Sequence, residues 1–347
     1  MRKVSLLTAI NIILVLFMSS CHTYQQNEVL YVYNWGEYID GTVNELFEKE
    51  YGIKVIYDEY DNNESMYATL KNGAAKYDVI FPSDYMVSRL IDEEMIEPLN
   101  FDNIPNFKNI MTRFKGFEYD SENLYSVPYT WGVIGLLYNT KYVTETPESW
   151  SVLWDKQYKG KVLMYNNSRD ALGLTLIKNG ESVNTTDKNI LDHAAQEVKE
   201  LKKNLQAFVS DEIFNRMESG SAYITPAYGG DALAMMEENE DLSYVIPKEG
   251  TNLYVDAMCV VKGSKNKEAA EKYINFMCRE DIAKLNREET CYSTPHQLVY
   301  DDLDMETKNE LLAYPTDEIL DKTQVYTNLP KDILEYYSTL WIDIKNA

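Results

Sequence analysis

The hydrophobic pattern of this chain changes period again and again, and a chain that alternates in that way is confined to a small group of folds. VLYVYNW (29–35) is a β-branched and aromatic run; Val43, Leu46 and Phe47 then recur at helical spacing, behind Asp40 as N-cap and ahead of Gly52 as a stop. IKVIYDEY, ESMYATLKNG, YDVIFPS and DYMVSRLIDEEM continue as strand, helix, strand and helix. Such a βαβαβα run predicts a parallel, doubly wound α/β sheet with helices on both faces. Ligands of such sheets sit beyond the carboxyl ends of the strands. Trp35, Glu37 and Tyr38 follow the first strand, Tyr60 and Asp61 the second, and Ser83, Asp84 and Tyr85 the third.

A chain of 347 residues is long enough for two such units. The second starts at WGVIGLLYN (131–139) and continues through the strand GKVLMYNN (160–167). Residues 187–205 read as an amphipathic helix with Ile190, Ala194, Val198, Leu201 and Leu205 on one face, and SAYITPAYGGDALAMMEEN repeats strand, glycine turn and helix. LYVDAMCVVKG (253–263) is a strongly apolar strand followed by the helix KEAAEKYINFMCR, the pattern of a chain returning to its first lobe. The expected division is 28–132 and 255–300 for one lobe and 133–254 for the other. The chain crosses a hinge near Tyr254–Asp256, and a C-terminal segment, 301–347, ends in a helical tail (317–347) packed back on the second lobe.

The first twenty residues have a signal peptide's layout: Arg2 and Lys3, an apolar run from Val4 to Phe17, then Ser19, Ser20 and Cys21. The run is short for a membrane span. MSSC is similar to a bacterial lipobox, which makes Cys21 the expected lipid-bearing residue and 21–27 a polar tether at the outer face of the membrane or in the periplasm. The formal net charge of −23 repels phosphate backbones, so nucleic acid is not an expected partner. Cys259, Cys278 and Cys291 are an odd number without CxxC spacing; buried thiols are the expectation, with one disulfide left open.

No nucleophile elbow, HExxH, dinucleotide fingerprint or phosphate loop is present, so neither catalysis, a metal nor a cofactor is expected. Of the three histidines, His22 falls in the tether and His193 on a solvated helix face, and His296 beside Pro295 reads as a surface or capping residue. Tyrosine is the conspicuous residue, 28 copies with 5 Trp, and many stand beside carboxylates, as in WGEY, SDY and YVD. Aromatic faces hold methylenes by burial and ammonium groups by cation–π attraction of about 0.5 to 2 kcal/mol. A carboxylate meeting an ammonium in a desolvated cleft adds about 1.5 to 3 kcal/mol. Aromatic walls with acidic ends therefore fit a linear, apolar dication.

The strings LYVYNWGEYI, YGIKVIYDEYDNNESMYATL, YDVIFPSDYMV, SVPYTWGVIGLLYN, YKGKVLMYNNSRDALGL, IPKEGTNLYVDAM and EAAEKYINFM occur in that order along nearly all of the chain after residue 27. Together they resemble the polyamine-binding receptors of bacterial ABC importers, of the spermidine/putrescine type. That resemblance implies a monomeric, two-lobed periplasmic-binding-protein fold of type II, with a ligand cleft at the hinge and delivery of a polyamine to a membrane permease. It implies pocket positions at Trp35, Gly36, Tyr38, Ser83, Asp84, Tyr85, Asn167, Asp170, Tyr228, Tyr254, Asp256 and, through a one-residue gap, Gln324. Asp256 is expected at an inner nitrogen or one end, and Asp170 at an outer amine. NNSRD stands where DDARE is usual, Tyr228 and Tyr254 where tryptophan is common, and Asp84 where a hydroxyl residue can occur, so the preferred polyamine is an open choice.

Plainer roles compete. Ser83 and Asp84 open a helix and can cap it; Asp170 can pair with Arg169 or cap the following helix; Trp35 and Tyr38 can be core aromatics. Asp256, in an otherwise apolar strand, needs a cationic partner because a buried unpaired carboxylate is costly. Two other functions stay in view: a ferric-ion receptor using the adjacent Tyr336 and Tyr337, and a secreted hydrolase using paired carboxylates.

Overall fold

The computed structural model describes residues 28–73, 76–304, 307 and 314–347; the signal segment, Cys21 and the tether lie outside the described residues. Strand β1 (Val29–Trp35) lies between β2 (Lys54–Tyr60) and β3 (Val79–Ile80), parallel to both, with Trp35 opposite Tyr60 and Val32 opposite Val79. Helices α1 (Val43–Tyr51), α2 (Asn63–Lys71) and α3 (Asp84–Asp92) connect and follow them, so the predicted alternation holds. Helix α1 buries Val43 and Phe47 and stops at Gly52, whose φ of 69° is the left-handed cap that glycine adopts without strain. Thr42 rather than Asp40 occupies its N-cap; the Asp40 carboxylate instead accepts the Thr42 N–H at 2.8 Å.

The chain passes through β4 (Ile96–Glu97) into β5 (Ser126–Asn139), fourteen residues buried throughout. The first half of β5 pairs antiparallel with β10 (Thr251–Val261), which pairs antiparallel with β3 and β4. Its second half joins another sheet, with β6 (Val162–Tyr165), β7 (Leu205–Val209), β8 (Ile224–Tyr228) and β9 (Leu242–Val245). There β5 lies between β8 and β9, and β6 runs parallel to β7 and β8. Two α/β lobes are thus joined through the long β5–β10 pair, the two-lobed fold expected. The sheets are mixed rather than wholly parallel, because strands that cross between lobes return antiparallel to their neighbours.

Helices α4 (Ser168–Lys178), α5 (Lys188–Lys202), α6 (Glu212–Glu218) and α7 (Gly229–Glu238) accompany the second sheet, and α8 (Lys267–Met277), α9 (Glu280–Thr290) and α10 (Gln297–Asp302) follow β10. Two expectations need correction. The amphipathic helix over 187–205 ends at Lys202, and Leu205 opens β7; Asn204 between them donates to the Leu153 and Asp155 carbonyls, which fixes the turn into a strand. The C-terminal tail is not one helix but α11 (Asp317–Leu320), a short β11 (Thr323–Gln324) and α12 (Lys331–Asn346), with Pro330 barring a continuous helix. On α12, Ile333, Tyr337, Leu340 and Ile344 form a core with Leu172 and Leu176 of α4 and Leu191 and Val198 of α5.

Candidate functional site

A cleft of about 490 Å³ opens where the strand ends of both sheets meet. Every position expected at the pocket except Gln324 lines it. Trp35 ends β1, and its indole N–H donates to the Phe81 carbonyl at 2.8 Å, which holds the ring at the cleft wall. Trp35 and Tyr38 contact each other edge to face at 6.4 Å, and Tyr38 meets Tyr292 at 4.9 Å. From Tyr292 the wall continues through Tyr254, Tyr228 and Tyr165, with neighbouring ring centroids 4.6 to 6.3 Å apart. These rings form a near-continuous π surface from one lobe to the other.

Asp256 owes its orientation to an irregularity in β10. Asp256 faces Thr130 and Ala257 faces Pro128, so the ladder shifts register between them and the strand bends beside the cleft. The carboxylate is 5% exposed; Tyr38 donates its hydroxyl to Oδ2, while Oδ1 is buried without a hydrogen-bond partner. Burial raises its pKa to about 6 against the pull of the Tyr38 hydroxyl bond and the nearby Ser83, and the Asp170 charge adds to the rise.

Asp170 lies in the first turn of α4 and is 3% exposed. Its Oδ2 accepts from Tyr228 Oη at 2.6 Å and from Asn167 Nδ2 at 2.9 Å. Burial lifts its pKa to about 6 despite the opposing pull of the Tyr228 hydroxyl bond. The neighbouring arginine does not form an ion pair with it: the Arg169 guanidinium turns to Asn184 Oδ1 and the Val183 and Thr327 carbonyls, 4.5 Å from the Tyr326 ring centroid. Nor does Asp170 cap the helix. Asn167 does, accepting the Arg169 and Asp170 N–H groups, so the neutral residue in NNSRD has a local structural job as well as a place on the wall.

Asp84 is fully buried. Its carboxylate accepts the Tyr85 N–H at 2.6 Å and the Val255 N–H at 3.4 Å, and burial holds its pKa well above the usual carboxylate range. It ties α3 to β10 beneath the cleft. Ser83 is the N-cap of α3 without a side-chain cap bond; its hydroxyl accepts from Asn63 Nδ2 at 3.0 Å, and Asn63 also donates to Tyr85 Oη. Gly36 lies at the rim, where a Cβ would come within 3.9 Å of Asp211.

Gln324 does not join the others. In β11 its Oε1 accepts the Val183 N–H and its Nε2 donates to the Glu181 carbonyl, an anchoring role outside the cleft. Tyr326, two residues on, lines the cleft instead, as do Tyr165, Asp231 and Tyr292. Asp231 accepts from Tyr292 Oη at 2.7 Å and is raised to about 7 by burial. Tyr165 and Asp231 lie at or just past the ends of β6 and β8 and were reachable by the strand-end rule already applied to Trp35, Tyr60 and Ser83. Tyr292 and Tyr326 follow a helix and a two-residue strand, and only the tertiary fold brings them in.

Other candidates fall elsewhere. His296 is buried and caps α10, its Nδ1 accepting the Val299 N–H. Tyr337 belongs to the α12 core, while Tyr336 donates to Asp192 at the surface. Cys259 and Cys278 are buried thiols. Among the described residues no group of three or more potential ligands could hold a metal ion, and no helix is long and apolar enough to cross a membrane.

Residues 43–312 match the family model described as bacterial extracellular solute-binding protein. The spermidine/putrescine-binding periplasmic protein of Salmonella typhimurium is 37% identical over 313 residues, 89% of each chain. Among solved structures, the spermidine/putrescine ABC transporter substrate-binding protein PotD of Streptococcus pneumoniae superposes with a TM-score of 0.79 at 36% identity, covering 92% of this chain and 99% of that one. The TpPotD lipoprotein of Treponema pallidum gives 0.82 at 27% identity, covering 91% and 99%. With an interlobe cleft walled by aromatic rings and buried carboxylates, and with relatives matched over nearly their whole length, this chain belongs to the bacterial extracellular solute-binding proteins.

Proposed function

We propose that this protein captures a polyamine, putrescine or spermidine, in the interlobe cleft and delivers it to the membrane permease of an ABC importer. The observation that carries the reading is the state of the cleft acids: Asp256 and Asp170 are desolvated, Oδ1 of Asp256 is without a partner, and the one buried arginine nearby points elsewhere. Buried carboxylates of this kind call for a cation. A primary ammonium supplies both charge and donors, and the rings of Trp35, Tyr38, Tyr228 and Tyr254 cover the methylenes between two such groups.

In this reading Asp256 holds an inner nitrogen or one end, Asp170 an outer amine, and Asp231 with Tyr292 a further polar contact. Asn167, Ser83, Tyr85 and Gly36 shape the wall, and Asp84 stabilises the Asp256 strand from below. Lobe one comprises residues 28–132 and 255–300, and lobe two comprises 133–254 and the C-terminal segment. Closure over the ligand is a hinge motion biased by contacts to both lobes. The protein acts as a monomer outside the cytoplasmic membrane, tethered by lipid at Cys21; a relative of the same fold is itself titled a lipoprotein.

Calorimetric titration of the chain from residue 22 onward, stripped of copurified ligand, tests the reading. Saturable heat is expected with putrescine or spermidine. No heat from either at millimolar concentration refutes it.

A further inference from the structure

Three of the cleft's aromatic rings lie directly over glycines. A methyl added at Gly132 would stand 2.8 Å from Tyr254 Cζ and closer still to its hydroxyl. One at Gly230 would stand 2.6 Å from Tyr292 Cγ, and one at Gly173 would stand 3.0 Å from Tyr326 Cε1. None of these glycines has a positive φ, so the backbone at each would accept an L side chain; what glycine supplies is room.

The three seats come from different elements. Gly132 lies on β5 directly opposite Tyr254 of β10, Gly230 sits in the first turn of α7, and Gly173 lies within α4. Each ring occupies the space a side chain would fill and lies closer to the scaffold by that amount. At Gly230 the seat also lets Tyr292 reach Asp231, the next residue, with its hydroxyl. Burial of Tyr254 against Gly132 leaves its hydroxyl without a hydrogen-bond partner, so steric fit rather than a polar contact holds that ring.

We infer that Gly132, Gly173 and Gly230 determine the bore of the cleft, and with it which amine-bearing chains the receptor accepts. Ordinary carbon contacts are about 3.5 to 4.0 Å, so a methyl at any of the three drives its ring off the seat by about 1 Å. A ring on the cleft wall that moves off its seat narrows the ligand's space. The inference rests on the polyamine reading for the identity of the ligand; the ring positions do not depend on it.

The test combines structure and binding. Crystal structures of Gly132→Ala and Gly230→Ala are expected to show Tyr254 and Tyr292 displaced toward the cleft by about 1 Å. Titration with putrescine and spermidine is expected to show affinity lowered about tenfold or more, with the ratio between the two ligands changed. Gly135→Ala is the control: its methyl would stand 2.6 Å from Tyr244 Cε1, an equal clash, but Tyr244 does not line the cleft. That variant should lose melting temperature and keep the wild-type affinity.

Tyr254→Phe in the Gly132→Ala background removes the closest clashing atom and is expected to recover affinity about threefold or more. Unmoved rings in both structures, or wild-type affinity in both cleft variants, overturns the inference. So does equal loss of affinity in Gly135→Ala, or no recovery in the double variant. Absence of polyamine binding by the wild-type chain counts against the proposed ligand instead, and the ring displacements then decide the inference on their own.

Discussion

At the residue scale the cleft is a case of acids kept where they are least comfortable. Asp256→Asn should weaken polyamine binding by about 2 to 5 kcal/mol, as expected when one member of a buried charge pair is neutralised, measured by titration at pH 7.5. The same substitution should raise the melting temperature of the ligand-free protein. A carboxyl whose folded pKa is raised, here from 3.8 to about 6 for both Asp170 and Asp256, contributes stability that is fully present below about 4 and is lost as pH rises through about 6. Removing that charge relieves the folded state at neutral pH. Ligand affinity has the opposite slope: ammonium binding needs the ionised acids, so the dissociation constant should climb as pH falls from 7 to 5. A flat profile over that range would detach the two acids from the ligand. Asp256 was legible in the sequence because an acid in an apolar strand is anomalous. Asp84, expected at the pocket from its place after the third strand and from the family resemblance, is engaged by the Tyr85 and Val255 N–H groups, and no sequence pattern distinguishes a carboxylate that meets a backbone from one that meets solvent space.

At the element scale the site depends on where strands and helices begin and end. Asn167 caps α4 and donates to Asp170, so Asn167→Ala should cost about 1 kcal/mol of stability by thermal melting and lower affinity only a few-fold by loosening Asp170. If stability is unchanged, the cap is not contributing. Elements with strong periodicity and a clear stop, such as α1 before Gly52, were readable from local sequence. The helix read through Leu205 was not, because Leu201 and Leu205 keep helical spacing while the Asn204 side chain binds two carbonyls far away in sequence and turns the chain. The break of the C-terminal tail at β11 has the same origin. Two residues of that strand pair with Thr251 and Asn252, and nothing within the tail announces that partner.

For the whole molecule, closure is the property to measure. A ligand that binds only the folded protein stabilises it by about 2.7 kcal/mol when present at 100 times its dissociation constant. Putrescine or spermidine at that ratio should therefore raise the melting temperature by several degrees, and small-angle scattering should show a smaller radius of gyration with ligand than without. Stabilisation with no change in radius would mean that the two lobes do not close on binding. The alternation of strands and helices in the first lobe, its strand ends that face the cleft and the acid-and-aromatic character of the lining were set by local sequence, since periodicity, caps and buried-charge cost act over a few residues. Tertiary structure alone decided which acids were left without partners, which tyrosines from distant loops closed the wall and which glycines those rings lie upon. Each of those depends on the distance between atoms that the chain separates by tens to hundreds of residues.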